Sequence, residues 1–190
     1  QSFENETLKV EQKLFFSSAH TAMMHTRITN MSDRKFAFQV MFSGQSYLSS
    51  LHFSEEEDGI NIQSDLSSAE GHILCWDQDI SHTFITDSAY VISLQAQELR
   101  AGKSIDFTLS QSFIFPEYSW EQERNQVEQK AKRVEDALEA RIHEKQTQLQ
   151  SIYVELDTNF QSESFKNLVA KTHLTLQNNW RTPAGALKHA

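Results

Sequence analysis

Hydrophobic and polar residues alternate along much of the first 115 residues, and the alternation is clearest in residues 35–47. The apolar members there occupy every second position: Phe36, Phe38, Val40 and Phe42. Residues 104–115 repeat the pattern. Every second position there is apolar except Gln111: Ile105, Phe107, Leu109, Phe113 and Phe115. A period of two places each set on one face of a strand. These patterns predict strands whose phenylalanine-rich faces pack together.

Eight or nine strands are predicted in this half of the chain. They come from residues 9–16, 22–30, 35–47, 52–54, 60–66, 72–76, 82–86, 90–99 and 104–115. The turn-rich residues 30–34 predict an antiparallel hairpin between the second and third strands. Gly59 and Gly71 end two later loops, where a positive φ would favour glycine. Short strands with regular turns and no intervening helix predict an antiparallel β-sandwich.

Residues 116–152 predict one long helix, because no Gly or Pro follows Pro116 and the apolar period changes. The apolar positions recur at spacings of three, four or seven: Val127, Ala131, Val134, Leu138, Ile142, Leu149 and Ile152. They form a narrow stripe, and a continuous helix would be about 54 Å long. A helix with one such stripe needs a neighbour, so we expect it to link the β half to a helical region.

A second helix is predicted for residues 164–177. One face would carry Phe165, Leu168, Val169, Thr172 and Leu176. Asn178 and Pro183 favour an end soon afterwards, since Asn adopts left-handed caps and Pro cannot continue a helix. If this face is left uncovered, we expect the chain to associate with itself through it. The fold class is therefore mainly β with C-terminal helices.

The composition limits the classes of partner that this chain is expected to bind. The 190 residues carry a formal net charge of −9, which argues against nucleic acid because phosphate binding needs a basic face. No apolar stretch approaches the roughly 20 residues of a membrane span, so no membrane partner is expected. The sequence opens without an initiator Met, which favours a fragment or cleaved piece. The single Cys75 leaves the compartment open between periplasm and cytoplasm.

Few residue clusters suggest chemistry. Asp77, Asp79 and His82 could face one metal ion, but an acidic turn between strands is the favoured interpretation. The acidic residues 55–58 lack calcium-loop spacing and are interpreted as a solvated hairpin tip. The eight histidines show no H-E-x-x-H spacing, so no metal site is assigned and no cofactor is expected.

Nucleophilic catalysis is not indicated either. The sequence has no G-x-S-x-G elbow and no glycine-rich phosphate loop, and Cys75 lies in an apolar strand context typical of a structural thiol. Asn5 and Asn30 match the glycosylation acceptor pattern, which is common by chance. Tyr118, Trp120 and Trp180 could stack on sugar rings, but seating the helices on the core is the favoured interpretation.

The last thirteen residues carry the most specific pattern, Asn-Asn-Trp-Arg-Thr-Pro-Ala-Gly-Ala-Leu-Lys-His-Ala. This run resembles the segment that leads into the catalytic barrel of bacterial family 63 glycoside hydrolases, relatives of the processing α-glucosidase that trims glycans. Two earlier runs, TRITNMSDRKFAFQVMFSGQ and LRAGKSIDFTLSQSFIF, resemble strand pairs of that family's N-terminal super-sandwich. The order of elements also matches, since a β-sandwich, a helical linker and an (α/α)₆ barrel follow one another there.

The resemblance implies a division into a sandwich domain (residues 1–115), a linker helix (116–160) and the start of a barrel (161–190). It implies a non-catalytic role that supports and partly walls the barrel, while the parent enzyme hydrolyses oligosaccharides with inversion. The family's acid and base lie beyond the position matching Ala190, so no catalytic residue is assigned here. Trp180 and Arg181 are the matched positions that could lie between the domains or wall the pocket and so bind substrate, although packing of the first barrel helix is the favoured interpretation.

Two other functions stay open. The narrow apolar stripe of the long helix also suits a non-enzymatic module that presents a coiled-coil helix to a partner. A free-standing carbohydrate-binding domain would instead use Trp120 or Tyr118 as its sugar platform.

Overall fold

The computed structural model describes residues 1–155 and 162–179. Twelve strands come first in these residues: β1 (Ser2–Glu4), β2 (Leu8–Phe16), β3 (Thr21–Asn30), β4 (Phe36–Phe38), β5 (Met41–Gln45), β6 (Leu51–Glu56), β7 (Gly59–Ser64), β8 (Ser67–Trp76), β9 (Ile80–Ile85), β10 (Ala89–Leu94), β11 (Gln97–Leu99) and β12 (Ser104–Ile114). The helices follow as α1 (Trp120–Ala131), α2 (Val134–Glu155) and α3 (Glu163–Asn179). The predicted class, mainly β with C-terminal helices, is confirmed.

The strands form one large antiparallel sheet and two small ones. The large sheet has seven strands in the order β1-β2-β3-β12-β8-β7-β6. The small sheets are β5-β10-β9 and β11-β4. Leu94, at the end of β10, is hydrogen-bonded to the β4–β5 segment at two points. Its backbone N–H donates to the carbonyl oxygen of Val40, and the side-chain amide of Gln39 donates to the carbonyl oxygen of Leu94. The small sheets therefore form the second layer of the sandwich.

The main core lies between these layers. Ile28, Ile60, Ile73 and Phe107 contribute from the large sheet, and Ile92, Leu94 and Leu99 contribute from the small ones. The predicted stripe Phe36, Phe38, Val40 and Phe42 packs against this cluster. Phe38 meets Phe107 edge to face at 6.1 Å between ring centroids. Burying a side chain such as Phe107 contributes about 1.5–3 kcal/mol, so this core stabilises the sandwich substantially.

The two faces of β12 are used differently from the prediction. Ile105, Phe107 and Leu109 face the main core, whereas Phe113 is 51% exposed. On the opposite face Ser110, Ser112 and Ile114 are buried. That face is covered because α1 packs across it, as Val127 and Ala131 show by their burial.

The predicted hairpin between the second and third strand segments is wrong. Strand β3 lies between β2 and β12, while β4 pairs with β11 in a different sheet. Buried Asn30 fixes the crossover, because its amide donates to the carbonyl oxygens of Arg34 and Leu99 at 2.7 and 2.9 Å. Its carboxamide oxygen accepts from the backbone of Ser32. A turn-rich stretch thus connects two layers of the sandwich.

The expected positive φ at two glycines is also wrong. Gly59 begins β7 and Gly71 lies inside β8. Within the described residues, the positive-φ positions are Gly102 and Asp77. Gly59 is needed for close approach, because a Cβ there would lie 1.9 Å from the carbonyl oxygen of Ile73.

The long helix is broken at Lys132 and Arg133. Ser119 caps α1 by accepting a hydrogen bond from the backbone of Gln122, and the break separates α1 from α2. Neither residue at the break is Gly or Pro, so the sequence contains no local stop signal. On either side of this break, Val127, Ala131 and Val134 of the apolar stripe are buried.

The chain divides into two units, residues 1–137 and 138–190. In the described part of the second unit, the Tyr153 hydroxyl donates to the carbonyl oxygen of Lys166 at 3.2 Å, which joins α2 to α3. The predicted second helix is confirmed with slightly wider limits. Its predicted face is only partly correct, since Phe165 and Val169 are half-buried whereas Leu168 and Leu176 are 58% and 64% exposed. No helix among the described residues is long and apolar enough to cross a membrane.

Candidate ligand-binding cleft at the α1–α2 junction

The helix-covered face of the large sheet carries an unusual number of polar side chains. Strands β3 and β12 pair antiparallel, with Arg27 opposite Asp106 and His25 opposite Thr108. Side chains alternate along a strand, so these four project from one face. This is the face that α1 and the first turn of α2 cover. The pairing therefore gathers polar groups from distant parts of the chain under one helix junction.

A cleft of about 450 Å³ lies at this junction, wholly within the first unit. Its walls come from β3, β12, the turn after β8, and residues 131–136 of the helix break. The size is within the range of pockets that hold small molecules. It is the candidate functional site, and we call it the junction cleft.

Arg27 and Asp106 form one wall of the junction cleft. The guanidinium donates through Nε to Oδ1 at 2.7 Å and through Nη2 to Oδ2 at 3.0 Å. This two-point geometry orients both groups. The hydrogen bond that Arg27 donates to Asp106 is the main cause that raises the pKa of Arg27. Asp106 is therefore engaged as an ion-pair partner.

Glu135 forms the helix side of the same wall. Lys13 Nζ donates to its two carboxylate oxygens at 2.9 and 3.2 Å. This hydrogen bond lowers the pKa of Glu135 more than burial raises it, and the charges of Lys13, His25 and Arg27 lower it further. Glu135 is thus held ionised and ties α2 to the sheet.

His25 forms the floor and is 3% exposed. Its Nε2 lies 3.5 Å from Glu135 Oε1 and 3.6 Å from Asp106 Oδ1. Nε2 therefore faces two carboxylates, whereas Nδ1 makes no hydrogen bond to any residue that the structure describes. Buried polar atoms are normally paired, so the unpaired Nδ1 beside the cleft requires an explanation.

The rim of the junction cleft is charged on both sides. Asp77 takes a left-handed backbone with φ 72°, a strained conformation for a residue with a side chain. Lys132 binds Glu128 at 2.7 Å. Within residues 1–155 and 162–179, no ion pair involves Asp77, Asp136 or Arg133. The rim therefore presents carboxylates and a guanidinium that are available to a ligand.

A second polar cluster holds the start of α1 on the same sheet. His72 stacks on Trp120 with ring centroids 3.7 Å apart and planes 7° from parallel. Its Nδ1 lies 3.0 Å from Glu56, and Arg124 binds Asp58 at 2.7 Å. The acidic residues 55–58 are at a hairpin tip as predicted, but Glu56 and Asp58 are bound by these partners rather than simply solvated.

The first turn of α1 is also held by Glu123, a buried carboxylate. Its Oε1 accepts hydrogen bonds from Ser18 at 2.5 Å and Thr21 at 2.6 Å. Thr21 also bonds to Ser112 at 2.8 Å across the sheet. Lys130 donates to the carbonyl oxygen of Ser17 nearby. These contacts fix the position of α1 and so define the shape of the junction cleft.

The predicted aromatic candidates are dispersed. Trp120 is engaged with His72, which supports the interpretation that it seats the helix. Tyr118 is partly exposed and lies 4.2 Å from the His20 ring. Trp180 and Arg181, the predicted substrate-side positions, lie outside the described residues.

The remaining candidates are also accounted for. Asp79 lies with Asp77 in the turn before β9, and His82 is exposed in β9. No group of three or more His, Cys, Asp or Glu in the described residues is arranged to hold a metal. Cys75 is buried, and burial raises the pKa of its thiol to about 12, with a further contribution from the charge of Asp58. Asn30 is buried, whereas Asn5 is exposed in a turn.

Sequence reasoning missed the junction cleft and both buried histidines. One signal was available: Thr21, His25 and Arg27 lie on the same face of a strand that also carries buried apolar residues. A polar face on a central strand indicates a specialised contact beneath it. Which residues meet there depends on the pairing of β3 with β12, about 80 residues later, and a single sequence does not reveal that pairing.

Comparisons with known proteins add little to this description. No protein-family model matches the sequence, and no curated protein matches it. Among solved structures, one similar chain is described as a kojibiose phosphorylase from the human microbiome. The alignment has a TM-score of 0.47 and 11% identity, and covers 69% of this chain. The chain spans 19% of that structure's length, so the fold assignment rests on the sheet topology described above.

Proposed function

We propose that this chain is a non-catalytic N-terminal part of a larger carbohydrate-active enzyme, of the α-glycosidase kind. Its role is to support a downstream helical barrel and to form part of that barrel's wall. The observation that carries the proposal is the order of elements, a sandwich followed by helices whose first member, α1, packs back on the large sheet. The resemblance of residues 178–190 to the start of a family 63 barrel supports the same assignment.

The state of the carboxylates in the junction cleft agrees with a non-catalytic role. Glycoside hydrolysis needs one carboxylic acid that keeps its proton and one free base. Asp106 is bound at two points by Arg27, and the lowered pKa of Glu135 disfavours a proton there. In the proposed parent enzyme the acid and base lie downstream, about 6.5–9.5 Å apart for an inverting mechanism.

In this proposal residues 1–115 form the sandwich domain, 116–160 the linker and 161–190 the start of the barrel. Trp180 and Arg181 would line the interdomain contact or the pocket wall. These limits and roles remain predictions.

An activity assay on the protein expressed from its complete coding frame tests the proposal. We expect hydrolysis of α-linked glucosides, with the inverted anomer as the first product in a proton NMR time course. The 190-residue chain alone serves as the matched control and should be inactive. Absence of activity on α-glycosides by the complete protein, or equal activity in the 190-residue chain, would contradict the proposal.

A second function, an interaction module without catalysis, is favoured by one feature of the second unit. Ile142, Val154, Leu168 and Leu176 are exposed apolar residues on its helices. Exposed apolar side chains mark a contact with another protein when they form one patch, so this function requires that these residues be covered by a partner. Sedimentation velocity over a wide concentration range decides this: concentration-dependent association that Leu168→Ser abolishes supports it, and a strictly monomeric chain contradicts it.

A further inference from the structure

We propose that the junction cleft is a binding site for a small neutral polyol, of the size of a monosaccharide or disaccharide. The proposal rests on the first unit alone. It uses the proposed function only for the choice of sugars as the first polyols to test.

The floor of the cleft provides the first argument. His25 lines the cleft and is 3% exposed, and its Nδ1 makes no hydrogen bond in the part of the chain that the structure describes. Leaving such an atom unpaired costs free energy, so a hydrogen-bonding group on a bound ligand would stabilise it. Glu135 Oε1 lies 3.5 Å from His25 Nε2 and is ion-paired with Lys13, so the ligand would bind beside this carboxylate.

The charge balance selects a neutral ligand. The described residues lining the cleft include three basic and four acidic side chains. Arg27 is matched by Asp106, and Lys13 binds Glu135 from outside the lining. Lys132 binds Glu128 outside the lining, so Asp77, Asp136 and Arg133 remain, a difference of a single charge. A site for phosphate or a polyamine would present a larger excess of one sign.

The side chains on the rim favour a ligand that carries hydroxyl groups. Asp77 and Asp136 offer carboxylate oxygens as acceptors, and Arg133 offers guanidinium donors. A hydroxyl group donates and accepts at once, so a molecule with several hydroxyls can pair with both kinds of partner. No Phe, Tyr or Trp among the described residues lines the cleft, so the ligand would be held mainly by its hydroxyl groups rather than stacked on a large ring.

The test is a titration of the ¹⁵N-labelled 190-residue chain, followed by amide chemical shifts. The probes are D-glucose, maltose and myo-inositol, each up to tens of millimolar, with putrescine and inorganic phosphate as charged alternatives. We expect saturable shifts from at least one polyol, concentrated at the backbone amides of residues 25–27, 106–108 and 131–136.

Two substitutions test whether the ligand binds in the junction cleft. Asp136→Asn and His25→Gln should weaken the affinity about tenfold or more, because each removes a hydrogen-bonding partner from the ligand. Asp33→Asn is the matched control, since Asp33 is exposed in the turn after β3 and should leave the affinity unchanged. Asp136 is exposed on the rim, so its variant keeps the test valid if His25→Gln fails to fold.

Three results would overturn the proposal: no shifts from any polyol, cleft shifts from putrescine or phosphate alone, or polyol shifts that Asp136→Asn leaves unaltered. None of them bears on the downstream catalytic domain. Failure of this inference and failure of the proposed function are therefore distinguishable.

Discussion

The role of several residues in this protein is determined by the backbone or side chains of the neighbouring strand. Gly59 faces the Ile73 carbonyl, and Cys75 lies in a strand whose neighbours exclude water. Asn30 pairs its amide with carbonyl groups of two separate segments. The residue types alone were compatible with turns, loops or modification sites, and the opposing strand decides between these roles.

Replacing Gly59 by Ala should destabilise the sandwich by about 3 kcal/mol or more, because the added Cβ collides with backbone that cannot move aside. Gly102→Ala is the matched control. Gly102 has φ 67° and open space around its Cβ position, so only left-handed strain of about 1–2 kcal/mol is expected. Urea unfolding of both variants measures the difference, and an equal loss in the two would contradict this account.

Cys75 should be unreactive in the folded protein. With a pKa of about 12, its thiolate fraction at pH 8 is about a thousandfold below that of an ordinary thiol. A chromogenic disulfide reagent should therefore label the native chain slowly and the urea-unfolded chain at once. Rapid labelling of the native chain at pH 8 would show that the thiol is accessible.

Secondary-structure elements were largely predictable, and their partners were not. Alternation located most strands because one face of each lies against a core, as Phe36 and Phe38 illustrate. The hairpin from β3 to β4 was wrong because local turn chemistry does not specify which layer a strand joins. The break at Lys132 and Arg133 was missed for the related reason that no helix-breaking residue marks it.

The packing of α1 on the sheet can be tested with two helix positions. Val127 is 1% exposed and Ile142 is 48% exposed, although both belong to the same apolar stripe. Val127→Ala should lower the free energy of unfolding by about 2 kcal/mol because it removes buried methyl groups. Ile142→Ala should cost about 0.5 kcal/mol or less. Similar losses in thermal or chemical unfolding would imply that the stripe is not divided as described.

The tie between α2 and the sheet should depend on pH. The pKa of folded Glu135 is lowered from its ordinary value of 4.5, mainly by the Lys13 hydrogen bond. A lowered folded pKa adds stability above pH 4.5, and that contribution disappears as pH falls through the folded pKa. Glu135→Gln should therefore destabilise the protein at pH 7 and lessen its stability loss between neutral pH and pH 3.

The exposed Glu57→Gln variant controls for the general effect of removing a carboxylate. Because Glu135 is partly solvent-exposed, screening keeps its effect small. The comparison therefore uses the shape of the pH profile rather than its height. Parallel profiles for the wild-type chain and Glu135→Gln would contradict the assigned role.

At the scale of the whole molecule, a sandwich domain ends in helices whose first member packs back on the large sheet. The second unit presents apolar residues on α3, including Leu168 and Leu176. The fold class was predictable from periodicity, whereas the junction cleft was not, because β3, β12 and the helix break meet only in the folded chain.

Reading the coding sequence beyond the codon for Ala190 decides whether a catalytic barrel follows this chain. If the chain is part of a larger glycosidase, we expect several hundred further residues with repeated amphipathic helix patterns and two separated acidic residues in loops, which would serve as general acid and base. A stop codon close after Ala190 would contradict the assignment to a larger glycosidase. The chain would then be a free-standing sandwich with a helical extension.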